Sequence, residues 1–286
     1  MPKLLYLITE DWFFVSHFLP MARTAQAAGF EIAVATRVRD HAARIEAEGF
    51  RVVALENERR SLGLAEALRG FFRMVRIVRA ERPDIVHCIA LRMVAIGGLA
   101  AKAGGAKRLV LAPTGLGLLW SEETAFNRFA RMLLRFVVGR WLRGPRTHYL
   151  FENTDDPREF GLQNSPAVTI VPGAGVAPEE YQPSADPPAP PLKVAVVARM
   201  IEAAASGRPI VTTDSPGCRD LVRDRHEGIL VPLRDTEAAA RALIELTEDT
   251  ELRRRLGNAA HARFAALFTE AAVRHAVGTV YAGFGM

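Results

Sequence analysis

Cysteine is the scarcest reactive residue in this chain: Cys88 and Cys218 are the only two, and no CxxC pair occurs. That excludes a disulfide-stapled framework and points to a reducing compartment. Lysine is almost as rare, confined to Lys3, Lys102, Lys107 and Lys193, so the net charge of +5 is carried by arginine. A basic balance is compatible with nucleic acid, an anionic membrane or phosphorylated substrates, and does not choose among them. Helix-turn-helix pairing, zinc spacing and aromatic RNA motifs are all missing, which argues against nucleic acid. No uninterrupted apolar run reaches the ~18 residues that span a bilayer. The first apolar run, residues 4–8, is followed at once by Thr9-Glu10-Asp11, too soon for a secretory signal. These absences point to a cytoplasmic protein that can touch a membrane surface without crossing it. No GxGxxG follows the first strand pattern, which weakens a nicotinamide oxidoreductase reading.

What is present is enough for a folded core. Of 286 residues, 49% are hydrophobic and 24% charged, a globular balance. Strand patterns fall at residues 3–9, 31–36, 51–55, 85–88, 108–113, 148–153 and 168–171. Between them lie helical patterns at 16–28, where Ser16 is placed to cap, and at 41–48, 65–81, 93–103 and 127–142. Such alternation predicts an α/β fold built on a doubly wound parallel sheet. Ligands then sit at the carboxyl ends of the strands.

Residues 182–191 (QPSADPPAPP) read as a stiff connector. A buried strand, 192–198, opens a second domain. Residues 201–232 then organise its remainder: a helix carrying Glu202, a Gly207/Pro209 stop, a strand at 210–214, a Ser215-Pro216-Gly217 loop, a helix at 219–222 and a strand at 229–231.

This stretch, with Glu before GRPIV, then TTDSPGCR and GILVP, resembles the sugar-nucleotide end of family 4 glycosyltransferases of GT-B fold. ITEDWFFVSHFLP, PDIVHCIALR, YLFENTDD and TIVPGAGV follow, in order, the landmarks of members that extend lipid-diphosphate-linked glycans. The resemblance implies a GT-B-like architecture. Residues 1–181 would form an N-terminal acceptor-side Rossmann-like domain, and 182–191 a linker. Residues 192–268 would form a shortened nucleotide-sugar-binding domain, and 269–286 a helix returning to the first domain. The shortening is expected because Met200 runs straight into Ile201-Glu202, where relatives continue through several strand–helix units. At about 30 residues per unit, the gap is on the order of 90 residues.

The resemblance also implies roles. Glu202 would hold the ribose hydroxyls of the donor; its sugar-contacting companion would fall at Val194, which is not a carboxylate. Arg199 matches the arginine of a pair that neutralises the departing diphosphate, and its lysine partner would lie in the missing segment. Ser215, Gly217, Cys218 and Arg219 open a helix whose amides could receive a phosphate. His87 would reach the donor sugar, with Cys88 replacing the second histidine common in the pattern. His87 and Arg199 are thus the catalytic candidates. Glu10, Asp11, His17, Arg92, Gly115 and Gly117 are the acceptor-side candidates. Against each stands a plainer reading: Glu202 and Arg199 as solvated charges, His87 as a structural histidine, Gly115-Leu116-Gly117 as a tight turn. Glu10, Asp11 and His17 would by the same token be surface charges.

The overall expectation is retaining transfer of a sugar, usually from a UDP-sugar, to a polyprenyl-diphosphate-linked or other glycan, with no metal and no cofactor. The competing expectation is an inactive remnant or binding protein. Two basic amphipathic stretches, 65–82 and 126–146, could lie on an anionic membrane; the plainer reading is a sheet-covering helix with a solvated arginine face.

Overall fold

The computed structural model describes residues 1–55, 64–116, 118–121, 123–183 and 200–284. The chain divides into two compact units. One comprises Met1–Glu152, Asp156–Ala174 and Arg274–Met286, the other Asn153–Asp155 and Gly175–Val273. Arg199, Gly117, most of the expected connector and the expected strand at 192–198 lie outside the described residues.

The first unit is built on seven strands: β1 (Lys3–Glu10), β2 (Glu31–Arg37), β3 (Arg51–Ala54), β4 (Ile85–Ile89), β5 (Arg108–Ala112), β6 (Thr147–Phe151) and β7 (Val168–Ile170). They lie in the order β3-β2-β1-β4-β5-β6-β7, every neighbour parallel. The doubly wound parallel sheet expected from the alternation is therefore present. Leu4 to Ile8 are fully buried, as in a central strand covered on both faces. The strand order reverses between β1 and β4, so the crevice available to ligands opens at their carboxyl ends.

Some local expectations need correcting. Ser16 caps nothing. Helix begins at Asp11, loosens into a π-helical stretch over Phe14–Phe18 and resumes at Leu19–Ala27. The Ser16 hydroxyl instead donates back to the Trp12 carbonyl at 2.8 Å. His87 lies in the middle of its strand. It is the third of five residues in β4, paired in register with Tyr6 and Val110 and fully buried.

In the basic stretch at 126–146, Arg128, Arg135, Arg140, Arg143 and Arg146 are exposed as expected, while Arg131 is buried and large apolar side chains share the outer face. Helix Ala125–Phe136, capped by Thr124 at 3.0 Å to the Asn127 amide, buries Asn127 and Arg131. Arg131 pairs with Glu123 at 2.8 Å, and Arg135 pairs with Glu159, which also accepts from the Trp120 indole at 2.6 Å. Phe126, Phe129, Met132, Leu133, Phe136 and Trp141 are at least half exposed. Helix Leu64–Glu81 behaves conventionally: Met74, Val75 and Val78 are buried, while Arg69, Arg76 and Arg79 are exposed.

The first unit also contains residues 274–282 of the last helix, Glu270–Ala282. Here Val277, Val280 and Tyr281 are buried, Phe284 stacks beneath the Arg108 guanidinium at 5.4 Å, and Tyr281 reaches the sheet.

In the second unit, β8 (Ile210–Thr213) and β9 (Gly228–Val231) pair in parallel. Ala204, Ala205, Ile210, Leu221, Val222, Ala260, Phe264 and Phe268 form its main core. Helices Thr236–Glu248 and Thr250–Leu267 take Asp caps, from Asp235 and Asp249, each accepting the third helical amide at 2.8 Å. Gly175, at φ +77°, bridges to the last helix: a Cβ there would lie 2.7 Å from the Glu270 Cα. Val176 closes the contact, its amide donating to the Phe268 carbonyl at 3.0 Å.

Candidate functional site

In the first unit, side chains converge at the carboxyl ends of the strands. The chain leaves β1 through Glu10 and Asp11. Asp11 is not a surface charge. It is fully buried, and its carboxylate accepts the Arg39 amide at 2.7 Å, the His41 amide at 3.0 Å and the Trp12 amide at 2.7 Å. Burial pushes its pKa upward, but those three amides outweigh that and hold it below the usual carboxylate range. Asp11 thereby pins the loop after β2 to the end of β1. Glu10 serves the same junction, accepting Arg37 at 2.9 Å and lying 3.6 Å from Arg39. Both carboxylates are structural clamps in this geometry.

His17 sits on the π-helical stretch, half-buried, with Nδ1 2.6 Å from the Ser16 hydroxyl and its ring 4.6 Å from that of Phe13. Single π-helical turns inside α-helices recur at functional sites, and this one aims His17, Phe18 and Met21 at a pocket. The remaining walls are Ala112 at the end of β5 and Thr114 after it, Leu150 and Phe151 at the end of β6 and Glu152 after it, and Val171, Gly173 and Ala174 after β7. The empty space, open side included, is about 310 Å³.

Glu152 is the residue that sequence reasoning passed over. It is the first residue after β6, and its pKa is raised from 4.5 to about 7 by burial, with a smaller push from the neighbouring Asp156 charge. The position was legible in principle, since the first polar residue after a parallel strand faces the ligand crevice. Gly115 lies just beyond Thr114 at φ +59°, exposed and with open space around it. Arg92 is exposed on the helix that follows β4, after Ala90, whose φ of +72° makes the sharp exit from that strand.

His87 does not line this pocket. Its Nδ1 is 2.9 Å from the Tyr281 hydroxyl, which lies 2.9 Å from the Tyr6 hydroxyl. Phe18 stands edge-on to its ring, centroids 6.1 Å apart. Its Nε2 is buried without a partner among the described residues. Desolvation lowers its pKa from 6.5 to about 3, so the ring is neutral at any physiological pH. Tyr281, the centre of this trio, was also passed over; a tyrosine within an otherwise apolar helix stripe was its only signal.

In the second unit the structure brings together several of the donor-side candidates. Helix Met200–Ala205 carries Glu202 in its first turn, where the Glu202 carbonyl accepts the Ser206 amide at 3.0 Å and hydroxyl at 2.9 Å. Ala204 and Ala205 pack this helix into the same core as Ile210 of β8. At the carboxyl end of β8 the chain turns through Ser215 and Gly217, at φ +81°, into the short helix Cys218–Leu221. Thr213 and Ser215 hydroxyls are 3.3 Å apart, and the Thr212 hydroxyl donates to Cys218 Sγ at 3.4 Å. Arg219 is paired with Asp214 at 3.0 Å and lies 3.9 Å from Asp155. Asp220 accepts both the amide and hydroxyl of Thr154, at 3.1 and 2.8 Å. Asn153 holds the Asp155 amide at 3.1 Å in a turn ahead of helix Asp156–Glu159. Among the described residues, no group of three His, Cys, Asp or Glu could hold a metal ion.

Comparison with known proteins gives these sites a context. Residues 3–142 match the family described as "Glycosyl transferase 4-like", and residues 198–263 match "Glycosyl transferases group 1". A segment of 77 residues, 27% of this chain, is 34% identical to a lipopolysaccharide core biosynthesis glycosyltransferase, LpsE, of Rhizobium meliloti. A segment of 85 residues, 30% of this chain, is 31% identical to the putative glycosyltransferase EpsD of Bacillus subtilis. The matched segments span only 23% and 22% of those proteins. Among solved structures, Anabaena HepE in complex with UDP and glucose superposes with a TM-score of 0.69 at 12% identity, covering 99% of this chain and all of that one. Sucrose-phosphate synthase from Thermosynechococcus elongatus follows with a TM-score of 0.62 at 14% identity, covering 99% of both chains. The chain is therefore similar to the glycosyl transferase 4-like family over residues 3–142 and to the glycosyl transferases group 1 family over residues 198–263, and it shares its α/β fold with GT-B glycosyltransferases.

Proposed function

We propose that the protein transfers a sugar from a nucleotide donor, a UDP-sugar, to a lipid-linked glycan, with retention at the anomeric carbon. The observation that carries the donor half is the clustering at β8. The Glu202 helix packs against this strand, and the Ser215–Arg219 turn leaves its carboxyl end. In this reading Glu202 accepts the ribose hydroxyls, and the turn's amides with Arg219 face the diphosphate. Arg199 and His87 are the proposed catalytic groups. For His87 that role requires the ring to become accessible to the donor, since it is enclosed by Tyr6, Phe18 and Tyr281. UDP is the nucleotide bound to HepE, the protein whose fold this chain shares.

The acceptor half rests on helix Ala125–Phe136. Its outward apolar side chains, interspersed with Arg128 and followed by Arg140 in the next turn, fit an anionic membrane surface on which a polyprenyl-diphosphate glycan would be presented. No helix among the described residues is long and apolar enough to cross a membrane. Contact of this kind would be peripheral.

A second reading, a catalytically silent binding protein, is favoured by one observation. Among the described residues the second unit's sheet has two strands, β8 and β9, in keeping with an internally shortened donor domain. With Val194 where a donor-contacting carboxylate would stand, one charged partner is lost at a desolvated site, at about 2–5 kcal/mol. That is enough to move a micromolar ligand into the millimolar range.

Titration of UDP, with release of sugar from UDP-glucose measured in parallel, separates the two. The expected result is millimolar UDP binding, weakened about tenfold or more by Glu202→Ala. Binding indifferent to that substitution removes Glu202 from the donor site. Binding with no sugar release under any acceptor supports the silent reading.

A further inference from the structure

Three buried polar groups stand in a row in the first unit: the Tyr6 hydroxyl, the Tyr281 hydroxyl 2.9 Å from it, and His87 Nδ1 a further 2.9 Å on. Among the described residues the Tyr6 hydroxyl has no partner but Tyr281, and His87 Nε2 has none at all. Two arrangements of protons are open to such a row. In one, Tyr6 donates to Tyr281, Tyr281 donates to Nδ1, and the imidazole proton sits on Nε2. In the other, Nδ1–H donates to Tyr281, Tyr281 donates to Tyr6, and the Tyr6 proton meets nothing.

The first arrangement is the better use of the groups. A phenol is a stronger donor than a neutral imidazole N–H, and an imidazole nitrogen is a stronger acceptor than a phenol oxygen. The first arrangement joins that strong donor to that strong acceptor. The second leaves a phenol proton and the Nε2 lone pair both idle in a buried site, where unmade bonds cost most. Burial also keeps a second proton off the ring, lowering its pKa to about 3. The rings of Tyr6, Phe18 and Tyr281 surround the imidazole, centroids 5.0, 6.1 and 6.2 Å away, and hold its orientation. Of these three, only Phe18 also lines the pocket at the strand ends. In this state Nδ1 is occupied and Nε2 carries a proton, so His87 has no free lone pair with which to act as a base. What it has to offer is one unused N–H.

We propose that Tyr281, backed by Tyr6, is a positioning residue that fixes His87 as the Nε2–H tautomer, so that His87 serves the sugar substrate as a neutral hydrogen-bond donor and not as a general base. The inference rests on the glycosyltransferase reading above and deepens it by assigning the proton on the ring and the side chains that set it.

Nitrogen-15 labelling of histidine in the full chain, read by long-range proton–nitrogen correlation, tests the tautomer without turnover. The His87 signals are those that vanish in His87→Leu. The wild type is expected to show a protonated Nε2 and an unprotonated Nδ1, well separated in shift and constant between about pH 5 and 8. A proton on Nδ1, or a ring that titrates in that interval, overturns the proposal. Tyr281→Phe removes the donor to Nδ1 and should bring the two nitrogen shifts toward each other as both tautomers become populated. Unmoved shifts in a Tyr281→Phe protein with wild-type circular dichroism strip Tyr281 of the role. The wild-type spectrum decides the tautomer even where that variant fails to fold. Release of glucose from UDP-glucose supplies the functional arm. The carbonyl of His87→Gln can accept from Tyr281 while its amide replaces Nε2–H, so activity should fall by less than about tenfold. His87→Leu, with no donor, should lose about a hundredfold. Equal losses in the two overturn the donor role. No glucose release by a wild type that shows the Nε2–H tautomer overturns the transferase reading and leaves the assignment of Tyr281 standing. Glucose release by a wild type protonated on Nδ1 does the reverse.

Discussion

Replacing Tyr281 with phenylalanine tests the buried trio at the heart of the first unit. The ring stays, so its edge contacts with Phe30, at 6.1 Å, and His87, at 6.2 Å, persist and no cavity opens. What disappears is one hydroxyl serving two partners, Tyr6 and His87, each at 2.9 Å and each fully buried. Leaving a buried polar group unsatisfied costs about 1–3 kcal/mol. The loss also spares the Tyr281 hydroxyl its own desolvation, so the two costs do not add in full. The net expectation is about 2–4 kcal/mol of destabilisation. For a unit of this size that is a fall in melting temperature on the order of 10 °C. Urea denaturation followed by tryptophan fluorescence and far-ultraviolet circular dichroism reads it as a shift in midpoint at constant slope. The pair Tyr6→Phe with Tyr281→Phe should be less destabilised than the sum of the singles, because the first orphan is removed along with its partner. A Tyr281→Phe variant within about 0.5 kcal/mol of wild type, or strictly additive double-mutant energies, would refute the argument.

Two further outcomes follow from the same geometry. His87 is held neutral down to about pH 3, whereas its unfolded pKa is 6.5. Between these values the unfolded chain binds one more proton, and stability drops as pH falls below 6.5, by up to about 1.4 kcal/mol per pH unit. Glu152 has the opposite sign: with a native pKa near 7 and an ordinary value of 4.5, its contribution is lost as pH rises through that window. Comparing His87→Phe with wild type between pH 5 and 7 isolates the histidine slope, and parallel curves would sink the assignment. On the outer face of helix Ala125–Phe136, Phe129→Asp should reduce co-sedimentation with phosphatidylglycerol vesicles about tenfold while leaving the melting temperature unchanged, since Phe129 is 60% exposed. Equal sedimentation of both proteins would remove this face from membrane contact.

The amino-acid sequence by itself determined the elements and their order, because the signals are local. β-branched runs such as Ile32 to Ala35 and Ile85 to Cys88 form strands wherever both faces are covered, and Gly29, Gly49 and Gly105 stop the segments that precede strands by adopting positive φ. The family likeness in the Glu202–Arg219 stretch was legible for the same reason, as spacings within one short segment. Tertiary structure alone decided which way the amphipathic helices face. The pattern of Ala125–Phe136 defines two faces, but Arg131, paired with Glu123, is buried while Phe126, Phe129 and Phe136 stay outside. It also decided the fate of the charged candidates after β1. Asp11 meets the amides of Arg39 and His41, 28 and 30 residues away in sequence, and no local pattern foretells that closure. His87 and Tyr281 are 194 residues apart, and their contact, like the exposure of Glu152 to the pocket, exists only once the last helix lies on the sheet and the strand ends are brought side by side.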